Sequence, residues 1–342
     1  MSDLCNQITR AREKLKCHPP GDAGRAATLV NLAYYLSEQF LKKGEIADLD
    51  EAIMLHRSAL DLRPAGHSDR SNSLHSLAFC LYQRYRKQAS LPDLEESITL
   101  YRAALDLCPL GHSSRATTLY NLADNLKYRF ITLGTNADLD EAISLHQLAL
   151  DFRPAGHSDR SDSMRSHFAF IGELRPLGHS SRATTLYNLA DNLKYRFATL
   201  GENADLDEAI SLHRSALALR PAGHSGRSDS LHALALCLWR RYKKRATIPD
   251  LEEAITLGRA ALELNSYAFT LNSLAEYLMS RFVNLGTKAD LDEAIVLYRS
   301  WLDLCPAGHP DRSAALCSLI DSLSSRFEKQ GTAVDLDELI SL

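Results

Sequence analysis

The chain of 342 residues lacks the features that would assign it to a membrane, a secretory or a nucleic-acid-binding class. It has no run of about 18 apolar residues, the length that a membrane-spanning helix needs. Charged residues occupy the N-terminal positions where a secretory signal needs an apolar stretch. The net charge of −4, from 39 basic and 43 acidic residues, disfavours a globally basic nucleic-acid binder. Seven cysteines without a CxxC pair are typical of a reducing compartment. We therefore expect a soluble cytoplasmic protein, with the nucleus left open as a location.

Sequence signatures of catalysis are also missing. The chain has no Walker loop and no GxGxxG, HExxH or GxSxG motif. Cys80 and Cys237 occupy equivalent places without a histidine partner at a fixed distance, so a cysteine nucleophile has no support. We expect a protein that is not an enzyme and that uses no cofactor and no metal.

What the chain does contain is an internal repeat. The turn motif P-x-G-H recurs at a usual spacing of 45 residues, with its glycine at Gly66, Gly111, Gly156, Gly178, Gly223 and Gly308. The interval from Gly156 to Gly178 is only 22 residues, which leaves room for one helix instead of two. The same 20 residues, GHSSRATTLYNLADNLKYRF, begin at Gly111 and at Gly178. This identity indicates recent duplication of a two-repeat block.

Each unit is predicted to form two helices, so the fold class is all-α. In the first helix, Leu119, Leu122, Ala123 and Leu126 follow the spacing of an apolar helical stripe. The second helix opens with D-L-[DE]-E, whose aspartate we expect to cap the first turn and whose glutamate completes a capping box. This signal begins at Asp48, Asp93, Asp138, Asp205, Asp250, Asp290 and Asp335.

An arginine recurs near the end of the first helix, just before an aromatic residue. We expect these arginines to pair with the acids at neighbouring helix starts. They are Arg84, Arg129, Arg196, Arg241, Arg281 and Arg326.

These spacings resemble the tetratricopeptide repeat pattern, W-x2-L-G-x2-Y followed by A-x3-F and P. Its first half occurs between Leu119 and Leu126 and its second half between Ala142 and Pro154. The array resembles the longer repeats of kinesin light chains and the fungal arrays that precede a caspase-like CHAT domain. The resemblance implies a right-handed α-solenoid of about seven helix pairs, one of them defective, whose first helices line a concave groove.

The repeat pattern predicts four segments. They are an N-terminal capping helix in 1–20, a repeat block in 21–156, a shortened single-helix joint in 157–177, and a second block in 178–342 whose last repeat is truncated. A loss in the gene model or in splicing is the alternative origin of the short unit. In the last repeat we expect Leu336, Leu339 and Ile340 to be exposed, which predicts self-association through the C-terminal end.

Six Gly-His pairs suggest a metal site, but the repeat geometry argues against one. Packed helices lie about 8–10 Å apart, whereas zinc needs each ligand nitrogen within about 2.1 Å of one point. We expect each imidazole to cap helix-end carbonyls or to pack in its own turn instead. These histidines are His67, His112, His157, His179, His224 and His309.

The candidate binding surface follows from the face that the first helices turn toward the groove in tetratricopeptide proteins. The matching side chains alternate between polar or charged and aromatic or apolar bands. They are Tyr120, Asn121, Asp124, Lys127, Tyr187, Asn188, Asp191, Lys194, His75, Tyr82, His232 and Trp239. We expect the asparagine amides to pair with an extended peptide; a merely solvated helix face is the alternative.

The predicted function is therefore a non-catalytic scaffold that binds a protein or peptide partner. The alternative is the N-terminal sensor region of a larger CHAT protease. One basic run, 240–245, is open to two interpretations: an acidic partner, RNA or an import receptor could bind it, or it could complement the helix dipole. An RNA-binding repeat is disfavoured because the basic residues are scattered.

Overall fold

The computed structural model describes residues 2–152 and 182–341, except 111, 113, 266 and 332. The described residues form helices and no strand, as the all-α prediction required. Within the described residues, one helix precedes seven helix pairs, three before residue 153 and four after residue 181. The helices are α1 (Ser2–Lys16), α2 (Arg25–Lys43), α3 (Ile46–Asp61), α4 (Arg70–Gln88), α5 (Leu91–Asp106), α6 (Arg115–Leu133), α7 (Asn136–Asp151), α8 (Arg182–Leu200), α9 (Asn203–Ala218), α10 (Arg227–Arg245), α11 (Ile248–Leu264), α12 (Ala268–Leu285), α13 (Lys288–Asp303), α14 (Arg312–Gln330) and α15 (Ala333–Ser341).

The predicted apolar stripe forms the core of each pair. In the third pair, Leu119, Leu122 and Leu126 of α6 are buried in one cluster with Ala142 and Ala149 of α7. Alanine has no side chain beyond Cβ, so the second helix can approach the first closely at these positions. The same leucine stripe and alanine contacts recur along the chain, which explains the regular helix pairing.

Two residues connect the helices of each described pair, and the first of them is in the left-handed conformation. Gly134 has a φ of 73° and donates its N–H to the carbonyl of Phe130 at 2.7 Å, which ends α6. Glycine adopts this conformation without the steric cost that a Cβ brings. Alanine occupies the equivalent place after α4 and α10, where Ala89 has a φ of 54° and Ala246 a φ of 53°.

The helix-start aspartates do not cap their helices, so this prediction was wrong. Each second helix begins two residues before its aspartate. In the six second helices from α3 to α13, the residue preceding the helix makes no side-chain capping bond. In α7 the helix begins at Asn136, and Asp138 turns instead toward Arg129 of α6. The aspartate therefore joins two helices rather than completing one.

The predicted arginine pairs are confirmed in all six places. Each guanidinium donates two hydrogen bonds, 2.6 to 3.0 Å long, to the carboxylate nine residues later in the same pair. The pairs are Arg84–Asp93, Arg129–Asp138, Arg196–Asp205, Arg241–Asp250, Arg281–Asp290 and Arg326–Asp335. In the first pair Gln39 takes the arginine position, and its amide lies 2.9 Å from both oxygens of Asp48.

The glutamate of the same sequence signal links neighbouring repeats instead of closing a capping box. Glu96 of α5 accepts hydrogen bonds from Arg57 of α3, and Glu141 of α7 accepts them from Arg102 of α5. These side chains lie on the outer surface and are about half exposed. Exposed ion pairs of this kind contribute about 0 to 1 kcal/mol each.

Contacts divide the chain into two compact units, unit 1 (Met1–Asn192) and unit 2 (Leu193–Leu342). The predicted joint, 157–177, lies outside the described residues, so the four-segment division stays a prediction. In α15, Leu336 and Ile340 are 42% and 77% exposed, and self-association through them also stays a prediction. None of the described helices is long and apolar enough to span a membrane.

Removing one arginine from an internal pair should strongly destabilise unit 2. In Arg281→Met, Asp290, whose side chain is 3% exposed, loses the guanidinium that neutralises it. A buried charge without its partner costs on the order of 3 kcal/mol. Chemical denaturation should show that loss of unfolding free energy. The matched control is Arg214→Met, whose pair with Glu253 is 50% and 39% exposed and should contribute less than about 1 kcal/mol. Equal losses in the two variants would contradict the assignment.

Replacing the left-handed alanine after α10 should stabilise unit 2. A left-handed L-residue costs about 1 to 2 kcal/mol, and the extra freedom of glycine in the unfolded chain offsets only about 0.4 to 1 kcal/mol. Ala246→Gly should therefore raise the unfolding free energy by about 0.5 to 1 kcal/mol, measured by denaturant titration. Gly286→Ala is the inverse control: no atom approaches within 4 Å of an added Cβ, so backbone strain alone should destabilise it. A destabilised Ala246→Gly would contradict this reasoning.

Candidate functional site

The predicted binding residues lie on the first helices α4, α6, α8 and α10. Counted from the first leucine of each apolar stripe, they stand one, two, five or eight positions later. In α6 these positions are Tyr120, Asn121, Asp124 and Lys127. We call the surface formed by these four positions of each first helix the first-helix face.

Charged and aromatic side chains of this face bind one another in unit 1. The Tyr82 hydroxyl of α4 donates a 2.6 Å hydrogen bond to Asp124 of α6. The Lys127 ammonium lies 2.9 Å from Asp124 and 3.9 Å from Asp191 of α8. The cluster is largely buried, and it links α4, α6 and α8. These groups are therefore already engaged within the protein.

The carboxylate of Asp124 and the ammonium of Lys127 keep their charges, because their charged and hydrogen-bonding partners shift the pKa values more than burial does. Burial raises the pKa of Asp124, but Lys127 and the Tyr82 hydroxyl lower it by more, so the pKa lies below its usual value and the carboxyl is ionised at neutral pH. Burial lowers the pKa of Lys127, whereas Asp124 and Asp191 raise it by more. The result is a fixed ammonium group between two carboxylates.

The asparagine amides, expected to bind a peptide backbone, also have partners within unit 1. Asn188 donates a 2.8 Å hydrogen bond to the Tyr120 hydroxyl. The Asn121 amide lies 3.3 Å from Nε2 of His75, whose Nδ1 lies 3.2 Å from the Thr118 hydroxyl. The amides thus hold neighbouring first helices in register, and binding of a partner's backbone by them stays a prediction.

The first-helix face of unit 2 is more open around Trp239. This half-buried indole donates a 3.1 Å hydrogen bond to the Ser280 hydroxyl and packs at a tilt on Tyr277, with ring centroids 5.6 Å apart. The exposed Lys243 ammonium lies 5.6 Å from the centre of the indole ring. The exposed part of the indole ring therefore lies on this face with its one polar edge fixed in place.

A second aromatic group lies at the start of α12. His232 packs edge-on against Phe269 at 4.6 Å, and Phe269 stacks on Tyr267 at 5.3 Å. Burial lowers the pKa of His232 to about 4, with a further contribution from Lys194, so the imidazole is neutral at pH 7.

The two remaining predicted residues, on α8, are half-buried. They are Tyr187 and Lys194, and the Lys194 ammonium lies 5.1 Å from the centre of the Tyr195 ring.

Five of the described second helices place one side chain beneath this face, whereas α11 has Gly258 at the equivalent position. Among these side chains, His146 lies 5.4 Å from the Tyr120 ring, and Tyr101 lies 5.2 Å from the His75 ring. We call this set the floor. It comprises His56, Tyr101, His146, His213 and Tyr298, all of which are buried.

The turn histidines act on the backbone of their own turn. In His67, His112, His224 and His309, Nδ1 accepts a hydrogen bond from the N–H two residues later, at 3.0 to 3.2 Å. The imidazole therefore packs in its turn, as predicted, but it binds an amide group instead of a helix-end carbonyl. His157 and His179 lie outside the described residues. Among the described residues, no three His, Cys, Asp or Glu side chains are grouped to hold a metal ion.

Residues 71–109 match the tetratricopeptide repeat family model, and no curated protein sequence matches the chain. The assembly chaperone of RpL4 (Acl4) is 13% identical, with a TM-score of 0.53 over 89% of this chain and 98% of the chaperone chain. The C-terminal part of a TPR repeat-containing protein from Cytophaga hutchinsonii is 15% identical, with a TM-score of 0.52 over 93% and 95% of the two chains. A kinesin-light-chain-like protein of Podosopora anserina with nearly identical TPR-like repeats is 17% identical, with a TM-score of 0.43 over 69% and 96%.

The repeats of this chain are tetratricopeptide-like. The family model covers one repeat, and the first two structures share the fold at low identity.

The tetratricopeptide frame also identifies face residues that the sequence prediction left out. Glu276, Met279 and Asp321 occupy, on α12 and α14, the same positions as the charged residues of α6 and α8, and Tyr298 is their floor residue. Alignment by the first leucine of the stripe would have found them.

Most charges of the predicted basic run have partners within the tetratricopeptide-like array. Arg241 binds both Asp250 and Asp207, and Arg245 binds Asp207 as well. Lys243 lies over the indole of Trp239. The run therefore acts largely within the fold, and binding of an acidic partner, RNA or an import receptor by it stays a prediction.

The buried floor should make the protein sensitive to mild acid. His56 has no hydrogen-bond partner for either ring nitrogen, and burial, with Arg63 nearby, lowers its pKa from 6.5 to about 4. Between these values the unfolded chain takes up a proton that the folded chain does not, so stability falls as the pH falls from about 6.5 toward 4. From pH 7 to 5 the loss from this residue is about 2 kcal/mol.

The variant His56→Tyr places at position 56 the residue type that the next repeat has at the equivalent position, Tyr101. It should remove that part of the pH dependence. Denaturant titrations at pH 8, 7 and 5 measure it. Between pH 8 and 7 the variant and the wild type should change almost alike, because the folded state of His56 takes up no proton there and the unfolded state, with a pKa near 6.5, takes up only about 0.2. An unchanged loss between pH 7 and 5 in the variant would refute the assignment to His56.

Proposed function

We propose that the protein is a non-catalytic scaffold that binds a protein or peptide segment along its first-helix face. The half-buried Trp239 carries this proposal. Its indole nitrogen is already hydrogen-bonded, so a partner can cover the apolar ring without leaving a polar group unsatisfied. Tryptophan side chains of this kind supply much of the binding energy in protein interfaces.

The tetratricopeptide-like fold supports the same function. Repeats of this kind present a continuous surface made of equivalent positions, and extended partners can contact several repeats at once. The assembly chaperone of RpL4, which has a similar fold, acts by its name on another protein. The alternative function, a sensor region of a larger CHAT protease, stays a prediction, as does the cytoplasmic location.

Selection of peptides on the immobilised full chain tests this proposal. A displayed random-peptide library should yield binders whose affinity falls at least about 10-fold in Trp239→Ala, because loss of an aromatic anchor costs about 2 kcal/mol. The matched control is Val296→Ala, which shortens a 57% exposed apolar side chain of a second helix and should keep the affinity within about 2-fold. Binders that ignore Trp239, Tyr187 and Lys194 substitutions, or no binders, would refute the proposal.

Trp239 is a cleaner position for this test than Lys127. Replacing Lys127 leaves the buried carboxylate of Asp124 without its ammonium partner, so the first-helix face of unit 1 would lose stability and binding together. Melting curves of Trp239→Ala should stay within a few degrees of the wild type, which separates loss of binding from loss of fold.

A further inference from the structure

The connections inside the helix pairs of unit 1 form an exposed edge. We call this surface the turn edge; it comprises the last residues of α2, α4 and α6 with the connections that follow, in 41–45, 86–90 and 131–135. A Cβ added to Gly44 would lie 3.9 Å from the Lys87 ammonium nitrogen, and the Tyr85 hydroxyl lies 2.7 Å from the Thr132 hydroxyl. The ends of the three first helices are therefore neighbours.

The turn edge exposes aliphatic side chains. Leu41, Ile131 and Leu133 are 50%, 48% and 50% exposed, whereas the buried stripe of the same helices ends at Phe40 and Phe130. These three side chains thus lie beyond the core that joins the helices. About half of each remains in contact with water, which is unfavourable for an aliphatic surface.

Positive charge lies between these aliphatic side chains. The turn edge contains four basic residues and one acidic residue, Glu45. Lys42, Lys43 and Lys87 are exposed, and none of them forms an ion pair with a carboxylate of the described residues. Cations can complement a helix dipole, but α6 ends at Gly134 in the same way without a basic residue in its last turn. Helix termination therefore does not require the lysines.

In the equivalent turns of unit 2 most cations bind within the fold. The Lys243 ammonium lies over an indole ring, the Lys329 ammonium lies 4.1 Å from the centre of the Phe282 ring, and Arg245 pairs with a carboxylate. Among the described residues of these turns, Lys244 is the one ammonium group without such a contact. Unit 1 is thus the unit whose turns combine aliphatic side chains with several unengaged ammonium groups.

This combination suits a lipid surface better than a folded partner. The cores of protein interfaces are depleted in lysine and need well-packed apolar surfaces, whereas lysines here separate the aliphatic side chains. A bilayer needs no complementary shape, so separate aliphatic side chains can enter the headgroup boundary. The lysine stems can lie along the same boundary while their ammonium groups stay with anionic headgroups, each of which adds to the attraction.

We propose that the turn edge of unit 1 binds reversibly to a membrane surface that contains anionic lipids. The three aliphatic side chains enter the headgroup boundary, and the three lysines contact the headgroups. The turn edge shares no residue with the first-helix face, so this inference goes beyond the scaffold function and does not depend on it.

The first test is co-sedimentation of the full chain with phosphatidylcholine vesicles that contain about 30% phosphatidylserine, at about 0.15 M salt. The partition coefficient should fall at least about 10-fold without phosphatidylserine, and as much in Lys42→Gln/Lys43→Gln. The matched control, Arg10→Gln/Lys14→Gln, removes two exposed charges from α1 and should stay within about 2-fold of the wild type. No binding by the wild type, or equal weakening in the control, would overturn the proposal.

The second test removes the aliphatic side chains. Ile131→Ser/Leu133→Ser should weaken partition into the same vesicles at least about 10-fold, because apolar burial contributes to interfacial binding. Val283→Ser/Leu285→Ser changes the equivalent pair of unit 2, which is 74% and 55% exposed, and should stay within about 2-fold. Melting curves should stay within a few degrees of the wild type, since all four positions are exposed. If Ile131→Ser/Leu133→Ser binds as tightly as wild type, charge alone acts and the proposal fails.

An acidic protein segment is the competing occupant, and fluorescein-labelled hexaglutamate tests it by anisotropy. Vesicle binding without hexaglutamate binding supports the lipid surface. Hexaglutamate binding that Lys42→Gln/Lys43→Gln removes, with no vesicle binding, would overturn it in favour of an acidic segment. Trp239→Ala should leave vesicle binding unchanged, so failure of the turn edge and failure of the scaffold function are distinguishable.

Discussion

The guanidinium–carboxylate pair inside six of the seven described repeats fixes how the two helices of each repeat meet. The arginine lies in the last turns of the first helix, and the aspartate lies in the first turn of the second, nine residues later. A two-residue connection and a bidentate pair leave the second helix little freedom to rotate. The pair also explains why a charged residue occurs at a buried position: removing one partner would strand the other in a place with few alternative hydrogen-bond donors. Packing of leucine on alanine then follows from an orientation that is already set.

Because this pairing is repeated, the surface of each repeat can vary without changing the fold. The outer surface carries exposed arginine–glutamate pairs between neighbouring second helices, each of small energetic weight. The first-helix face, in contrast, differs in side-chain type from repeat to repeat. Eight residues after the first leucine of the apolar stripe, different repeats have Tyr82, Lys127, Trp239 and Met279 on equivalent helices. Recognition of a particular partner can therefore arise from a few changes of side chain at equivalent positions of the face, while the helix pairs stay the same.

Much of this architecture could be predicted from the sequence, because helical periodicity and the arginine–aspartate spacing are local signals. The helix pairs, the apolar stripe and the six arginine partners follow from them. The capping role of the aspartates could not be read correctly, since the D-L-[DE]-E signal gives no sign that the helix begins two residues earlier, at positions such as Asn136. The burial of Asn188 and Lys127 was also beyond the sequence, because it depends on which side chains the neighbouring first helix brings within reach. Glu276 and Asp321 lie in repeats less similar to the duplicated block, which hid their equivalence to Asp124 and Asp191.

The internal contacts of the first-helix face have an energetic consequence for recognition. In unit 1 the ammonium of Lys127 is held on the same chain, so no partner has to give up its hydration to neutralise Asp124. In unit 2 the indole nitrogen of Trp239 is already hydrogen-bonded to Ser280, so a partner can cover the ring without leaving that group unsatisfied. The helix pairs keep these side chains in place before binding, so little conformational entropy is lost on the protein side. Affinity on this face should then depend less on the total buried area than on how completely a partner covers the exposed part of this ring.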